Sequence, residues 1–234
     1  MVSKATVKRL SSQTQQYARE PKQNRSKASL ERLLSSASEI LAERGYNEFT
    51  LQEASKRAKV SIGSIYNRFS GKDDLIREVH ARELGVMEVE TAVLINELRR
   101  KELQLRQLVP AITKEFGMLL KRHSKILRPL MGIASVDEVV AKRGKMHFAQ
   151  NVGDFERLLL ERKSEIRQEN PERAVSICFQ IIYASLSRHL GLGTEPEIIG
   201  EGDWDTLLDD LSRVSLHFLL GHPDQLKAEP SATG

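Results

Sequence analysis

Residues 45–75 read GYNEFTLQEASKRAKVSIGSIYNRFSGKDDL, and this stretch decides the fold. Thr50 stands before a short amphipathic run and is followed three residues later by Glu53, the capping-box spacing in which each side chain satisfies a free amide of the other position. The spacing predicts a short helix over Leu51–Ala58. Ser61 offers another cap only a few residues later. Ile62, Ile65, Tyr66 and Phe69 then give a further helix its apolar face, with Ile62, Ile65 and Phe69 expected to pack against the helix upstream. Two short helices joined by a tight turn have the geometry of a helix-turn-helix. Between Lys56 and Lys72 the chain carries Lys56, Arg57, Lys59, Arg68 and Lys72 and no acidic residue. A recognition helix enters the major groove by its N-terminal end, where small residues admit the backbone and hydroxyls or amides reach base edges and phosphates. Ser61, Gly63, Ser64 and Asn67 answer that description.

Upstream, Leu30, Leu33, Leu34, Ala37, Ile40 and Leu41 recur at steps of three and four, predicting a helix over Lys27–Arg44 that Gly45 ends through a left-handed turn. Residues 1–27 carry seven Lys or Arg against Glu20 alone, whereas residues 28–80 balance. Such an arm, 1–26, is expected to be disordered; its charge fits contact with a polyanion as well as a solvated tail. Downstream, Lys72-Asp73-Asp74-Leu75 opens a long helix reaching Arg100, with Gly85 a candidate break. Further helices are expected at Leu105–Arg122, Lys125–Ile133, Val136–Ile166, Pro171–Leu190 and Trp204–Leu220. Pro110 lies in the first turns of its helix or kinks it. Asn170, Pro171 and Glu172 make a well-formed start, and Gly191 a stop. The last residues, 223–234, are polar and small and should fray.

These elements predict an all-α chain in four parts: the arm 1–26, a helix-turn-helix module 27–72, a helical body 73–222 and the tail 223–234. The composition agrees, because aromatic residues make up only 5% of the 234 residues while Leu, Glu, Arg, Lys and Ala abound. Cys178 is the single cysteine, so neither an internal disulfide nor a cysteine metal cluster is available. The histidines show no metal-like i, i+4 pair, no glycine-rich phosphate loop is present, and Cys178 lies in an apolar helix where an inert thiol is expected. No catalytic residue, metal or cofactor is therefore expected. No apolar run approaches the ~20 residues needed to cross a bilayer, and no leader segment is visible, so a cytoplasmic chain is expected.

The segment resembles the TetR (tetracycline-repressor-like) family of regulators. The likeness rests on Gly45-Tyr46-Asn47-Glu48-Phe49-Thr50, on Val60-Ser61-Ile62-Gly63-Ser64-Ile65-Tyr66-Asn67-Arg68-Phe69 and on Lys72-Asp73-Asp74-Leu75. It covers about Leu30 to Val79. The chain departs from the family pattern at Ala54-Ser55, where isoleucine-alanine is usual, and at Lys59, where the turn usually has glycine. The resemblance implies that Thr50, Ser61, Ser64 and Tyr66 contact DNA, that Gly63 permits close approach and that Lys72 meets phosphate. Ser64 and Asn67 are the expected base readers, with Arg68 among the DNA-facing cations; the alternative for Tyr66 is a core aromatic.

The resemblance also implies a body that senses a small molecule and dimerises. The helix Val175–Leu186 is apolar around most of its circumference and so must be covered on several sides. Ile181 on that helix, with Leu207, Leu211, Val214 and Phe218 on the last one, are the candidate homodimer surface. Candidates for a pocket are Met87, Phe116, Leu120, Met131, His147, Phe148, Phe155, Phe179 and Tyr183, a mixture suited to an apolar or aromatic effector. The expected activity is that of a repressor released from a palindromic operator by such an effector. An architectural DNA-binding protein and an enzyme are the competing readings.

Overall fold

The structure, a computed structural model, describes residues 22–193 and 202–221. Those residues form eight α-helices and no strand: α1 (Lys22–Glu48), α2 (Leu51–Ala58), α3 (Ile62–Tyr66), α4 (Lys72–Arg100), α5 (Leu105–Ala134), α6 (Glu138–Leu160), α7 (Pro171–His189) and α8 (Trp204–Leu220). A single 3-10 turn, Lys163–Glu165, follows α6. Most of the arm 1–26 and the tail 223–234 lie outside the described residues, but α1 begins at Lys22, upstream of the expected Lys27.

Two apolar cores organise the chain. In the first, Leu33, Leu34, Ala37, Ile40 and Leu41 of α1 meet Leu51, Ala54 and Ala58 of α2, Ile65 of α3 and Leu75, Ile76 and Val79 of α4. The α1 stripe is the one its three-and-four spacing predicts. Ile126, Leu130 and Ile133 of α5 and Val140 of α6 complete this core, so the small module is not closed off from the body. The second core gathers the distal parts of α4, α5 and α6 with α7 and α8, around Phe116, Phe155 and Phe179.

Several boundaries differ from the expectation for identifiable reasons. Gly45 has φ 73 and ψ −176, so it kinks the chain and Tyr46–Glu48 add another turn. Gly85 does not interrupt α4, which runs unbroken to Arg100. The expected helices Leu105–Arg122 and Lys125–Ile133 are one helix, α5, holding both Pro110 and Pro129. Ser124 does not cap a new helix; its hydroxyl donates back to the Lys121 carbonyl at 2.8 Å, the bond of a helix-interior serine. The helix expected over Val136–Ile166 starts two residues later because Asp137 caps it, accepting from the Val139 and Val140 amides at 2.9 and 3.1 Å, and it ends at Leu160. The starts of α7 and α8 are those predicted, with Asn170 accepting from the Arg173 amide and Asp203 from the Thr206 amide.

Gly117 sets the closest approach in the body. A Cβ on it would stand 2.6 Å from Leu208 Cδ2 and 3.2 Å from the Trp204 ring, so the absence of a side chain is what lets α8 lie against α5.

Candidate nucleic-acid interface and internal cavity

Caps and turns place the candidate recognition surface. Thr50 accepts from the Glu53 amide at 3.2 Å. The reciprocal half of the capping box is replaced: the Glu53 carboxylate instead pairs with Arg44 at 3.0 Å and Arg57 at 3.4 Å. Arg57 is held further by two 2.9 Å bonds to Glu43, whose carboxyl this hydrogen bonding keeps below its ordinary range. Arg57 is thus part of a surface ion network joining α1 to α2. The turn after α2 is made by Lys59 at φ 53 and ψ 45, a left-handed residue without glycine. Ser55, the other departure from the family pattern, sits beside it and donates to the Val60 carbonyl at 2.6 Å, bridging the same turn.

Ser61 caps α3, accepting from the Ser64 amide at 3.2 Å, and the two hydroxyls are 2.8 Å apart. Ile65 lies beneath in the core, but Ile62, expected to pack, is 37% exposed. A five-residue helix has room for only one inward apolar position, and Ile65 takes it. Tyr66, at 55% exposure, is not a core aromatic. Gly63 and Asn67 are exposed alongside it, and a Cβ on Gly63 would touch nothing within the chain.

Two predicted DNA contacts have internal partners. Arg68 donates to the Ser26 hydroxyl at 2.8 Å, the Ser26 carbonyl at 3.2 Å and Ser29 at 3.3 Å, stapling the end of α3 to the start of α1. The Lys72 ammonium donates to the Tyr46 carbonyl and sits 3.9 Å above the Tyr46 ring; burial lowers its basicity. The Tyr46 hydroxyl donates to Asp73 at 2.6 Å, which closes this joint between α1 and α4.

Within the body lies a cavity of about 340 Å³. Met87, Phe116, Leu120, Met131, His147, Phe148 and Tyr183 line it; Phe155 and Phe179 do not. Their rings back Phe116 from the core side, with centroids 5.2 and 4.8 Å from it. Sequence reasoning missed His80, Leu84, Leu127, Leu130, Lys145 and Asn151. The spacing His80, Leu84, Met87 on α4 and Gly144, His147, Asn151 on α6 is the signal that could have found several of them. Leu130 and Val140 line the cavity and also belong to the core of the small module.

His80 is 4% exposed, and its Nδ1 and the Nε2 of His147 are buried without hydrogen-bond partners. Burial, helped by the nearby Arg143 and His147 and opposed by Asp137, pushes the His80 pKa down to about 4. Burial likewise lowers that of His147. On the far side of the body, Ile181, Val214 and Phe218 are 44, 55 and 38% exposed, Leu207 is half-buried and Leu211 is covered within the chain.

Two short capped helices on a small helical module, sharing its core with a helical body that holds an apolar cavity, have the helix-turn-helix arrangement of DNA-binding modules. Residues 33–79, the small module, match the family model described as bacterial regulatory proteins, tetR family. Among curated proteins it is similar to the fatty acid metabolism regulator protein of Bacillus subtilis (strain 168), 23% identical over 123 residues, which are 53% of this chain and 58% of that protein. It is also similar to an uncharacterized HTH-type transcriptional regulator, YdeS, of the same organism, 27% identical over 161 residues, 66% of this chain and 74% of that one. Among solved structures, a transcriptional regulator from Cytophaga hutchinsonii ATCC 33406 superposes with a TM-score of 0.61 at 17% identity, covering 81% of this chain and 96% of that one, a likeness of fold. No helix among the described residues is long and apolar enough to cross a membrane.

Proposed function

We propose that this chain is a homodimeric transcriptional repressor that binds a palindromic operator and releases it when a small, largely apolar effector enters the body cavity. Acting on DNA, it works in the cytoplasm. The observation that carries the reading is the double membership of Leu130 and Val140, which wall the cavity and pack in the core of the DNA-binding module. An occupant that displaces either one must disturb the packing under α3, because close-packed interiors transmit small shifts. Helix α4 provides a second route: it opens at Lys72 beside the module and lines the cavity with His80, Leu84 and Met87.

On the DNA side, Ser61, Ser64, Tyr66 and Asn67 face outward for base and backbone contact, with Gly63 allowing close approach and Thr50 at the start of α2 reaching phosphate. Arg68 and Lys72 act mainly by holding the module's shape. Pairing through Ile181, Val214 and Phe218 with Leu207 at its edge places two recognition helices about 34 Å apart, one turn of B-DNA. The effector acts only by its different affinity for the operator-binding and released states. The curated relative named for fatty acid metabolism supports an apolar effector.

Fluorescence anisotropy at about 150 mM salt tests the reading, comparing a duplex from the chain's own promoter region with a random duplex. Specific binding at least about 10³ tighter is expected. Equal affinity for the two overturns it.

A further inference from the structure

We propose that the ligand of the body cavity is an amphipathic weak acid, its apolar part seated among Phe116, Met131 and Tyr183 and its acidic oxygen group received by His80 and His147. The proposal rests on the effector reading above and gives that effector its polar end.

Three observations carry it. First, among the described residues the cavity lining includes no aspartate or glutamate; its polar side chains are His80, Lys145, His147, Asn151 and the Tyr183 phenol, and Lys145 is exposed. A cavity walled this way repels cations and tolerates anions. Second, His80 Nδ1 and His147 Nε2 are buried ring nitrogens with no partner. Buried polar atoms are normally satisfied, and two orphans on one cavity wall ask for an oxygen-bearing occupant. The Asn151 amide is 3.5 Å from His147 Nδ1, so the second imidazole is braced by its own helix.

Third, the field at His80 is positive. Arg143 and His147 face it from α6, and Asp137 at the start of α6, which opposes them, is held by Arg77 at 2.8 Å, while Glu83 one turn along α4 is paired with Arg82 at 2.8 Å. Glu88 and the Leu84 backbone carbonyl, both of α4, face His147 and favour its charged form. Burial is the main reason protonation of His80 is unfavourable, and the nearby basic groups add to it; those basic groups also stabilise a negative charge placed beside the ring, and an anion there in turn favours the imidazolium. Binding of an acid is therefore coupled to proton uptake, whereas an alcohol of the same body meets neutral imidazoles and takes up none.

Calorimetry on the full chain decides the matter, using carboxylates, alcohols and amines that share alkyl or aryl bodies of about six to twelve carbons, a range suited to a cavity at the small end of ligand pockets. Titrations are run in two buffers of different ionisation enthalpy. The carboxylate is expected to bind about tenfold or more tighter than its alcohol, the usual gain of a charge-assisted hydrogen bond. Proton uptake should grow as the pH is lowered from about 8 to about 6. His80→Gln and His147→Gln should shrink the acid-to-alcohol ratio while alcohol affinity is retained, which also shows that the cavity has survived. An alcohol or amine that binds as well as the acid, acid binding without proton uptake, or a preference unchanged in both variants overturns the weak-acid assignment and leaves the effector reading standing. Heat from none of the three series overturns both.

Discussion

At the scale of single residues, the module separates side chains that build it from side chains left free to touch something else. Arg68 and Lys72 are cations in a DNA-binding segment, yet each is engaged by the chain itself, the one by Ser26 and Ser29, the other by Tyr46. Gly63 is the opposite case, with nothing of the chain within reach of a Cβ. Gly63→Ala should leave the melting temperature unchanged or raise it, because alanine favours helix by about 0.5–1 kcal/mol. Operator affinity should nevertheless fall about tenfold if the backbone approaches DNA there; anisotropy and a melting curve on the same preparation check both halves. His80 gives a pH prediction. Its folded-state pKa of about 4 lies below the ordinary 6.5, so the unfolded chain binds the extra proton first. Stability should decline as the pH falls from about 6.5 towards about 4, and His80→Gln should flatten that part of the profile in urea titrations.

At the scale of elements, two helices meet because one residue lacks a side chain. The α5–α8 contact at Gly117 leaves no room for a methyl group beside Leu208 and Trp204. Gly117→Ala should destabilise the body by about 1–3 kcal/mol through overpacking, seen as a lower melting temperature. Leu208→Ala in the same chain should restore part of the loss by vacating the space. Operator contacts are remote from this site, so the affinity of the folded fraction for DNA should hold. The two departures from the family pattern belong at this scale as well. Lys59 takes a left-handed conformation that disfavours a side chain by roughly 1 kcal/mol, and the hydroxyl of Ser55 is placed to support the same turn.

At the scale of the whole molecule, Ile181 of α7 and Val214 and Phe218 of α8 are exposed apolar side chains on two helices that pack on each other. Val214→Glu combined with Phe218→Glu puts like charges at the centre of the proposed pairing face, where unpaired buried ions are strongly unfavourable. Sedimentation should show a monomer. Operator binding should drop by orders of magnitude because one half-site must then hold the protein alone. A dimer that survives both substitutions places the interface elsewhere.

The sequence by itself determined the local architecture. Thr50, Ser61, Asn170 and Asp203 are caps whose effect reaches three residues, and the Leu33–Leu41 stripe reports one helix face, so these features are written in short spacings. It also carried the fused prolines and Ser124 of α5, but a local rule favours a break there, and only packing along the full length of both cores keeps that helix whole. Exposure on α3 was not legible for the same reason: Ile62 and Ile65 are alike as residues, and which one is covered depends on α1 and α4 above it. The cavity was half legible. Bulky apolar residues such as Met87, Phe116 and Phe148 announced a core, but whether a ring lines a void or backs it, as Phe155 and Phe179 do, depends on helices far apart in the chain. Tertiary structure alone decided that His80 and His147 share one wall, and that Leu130 and Val140 belong to cavity and module together.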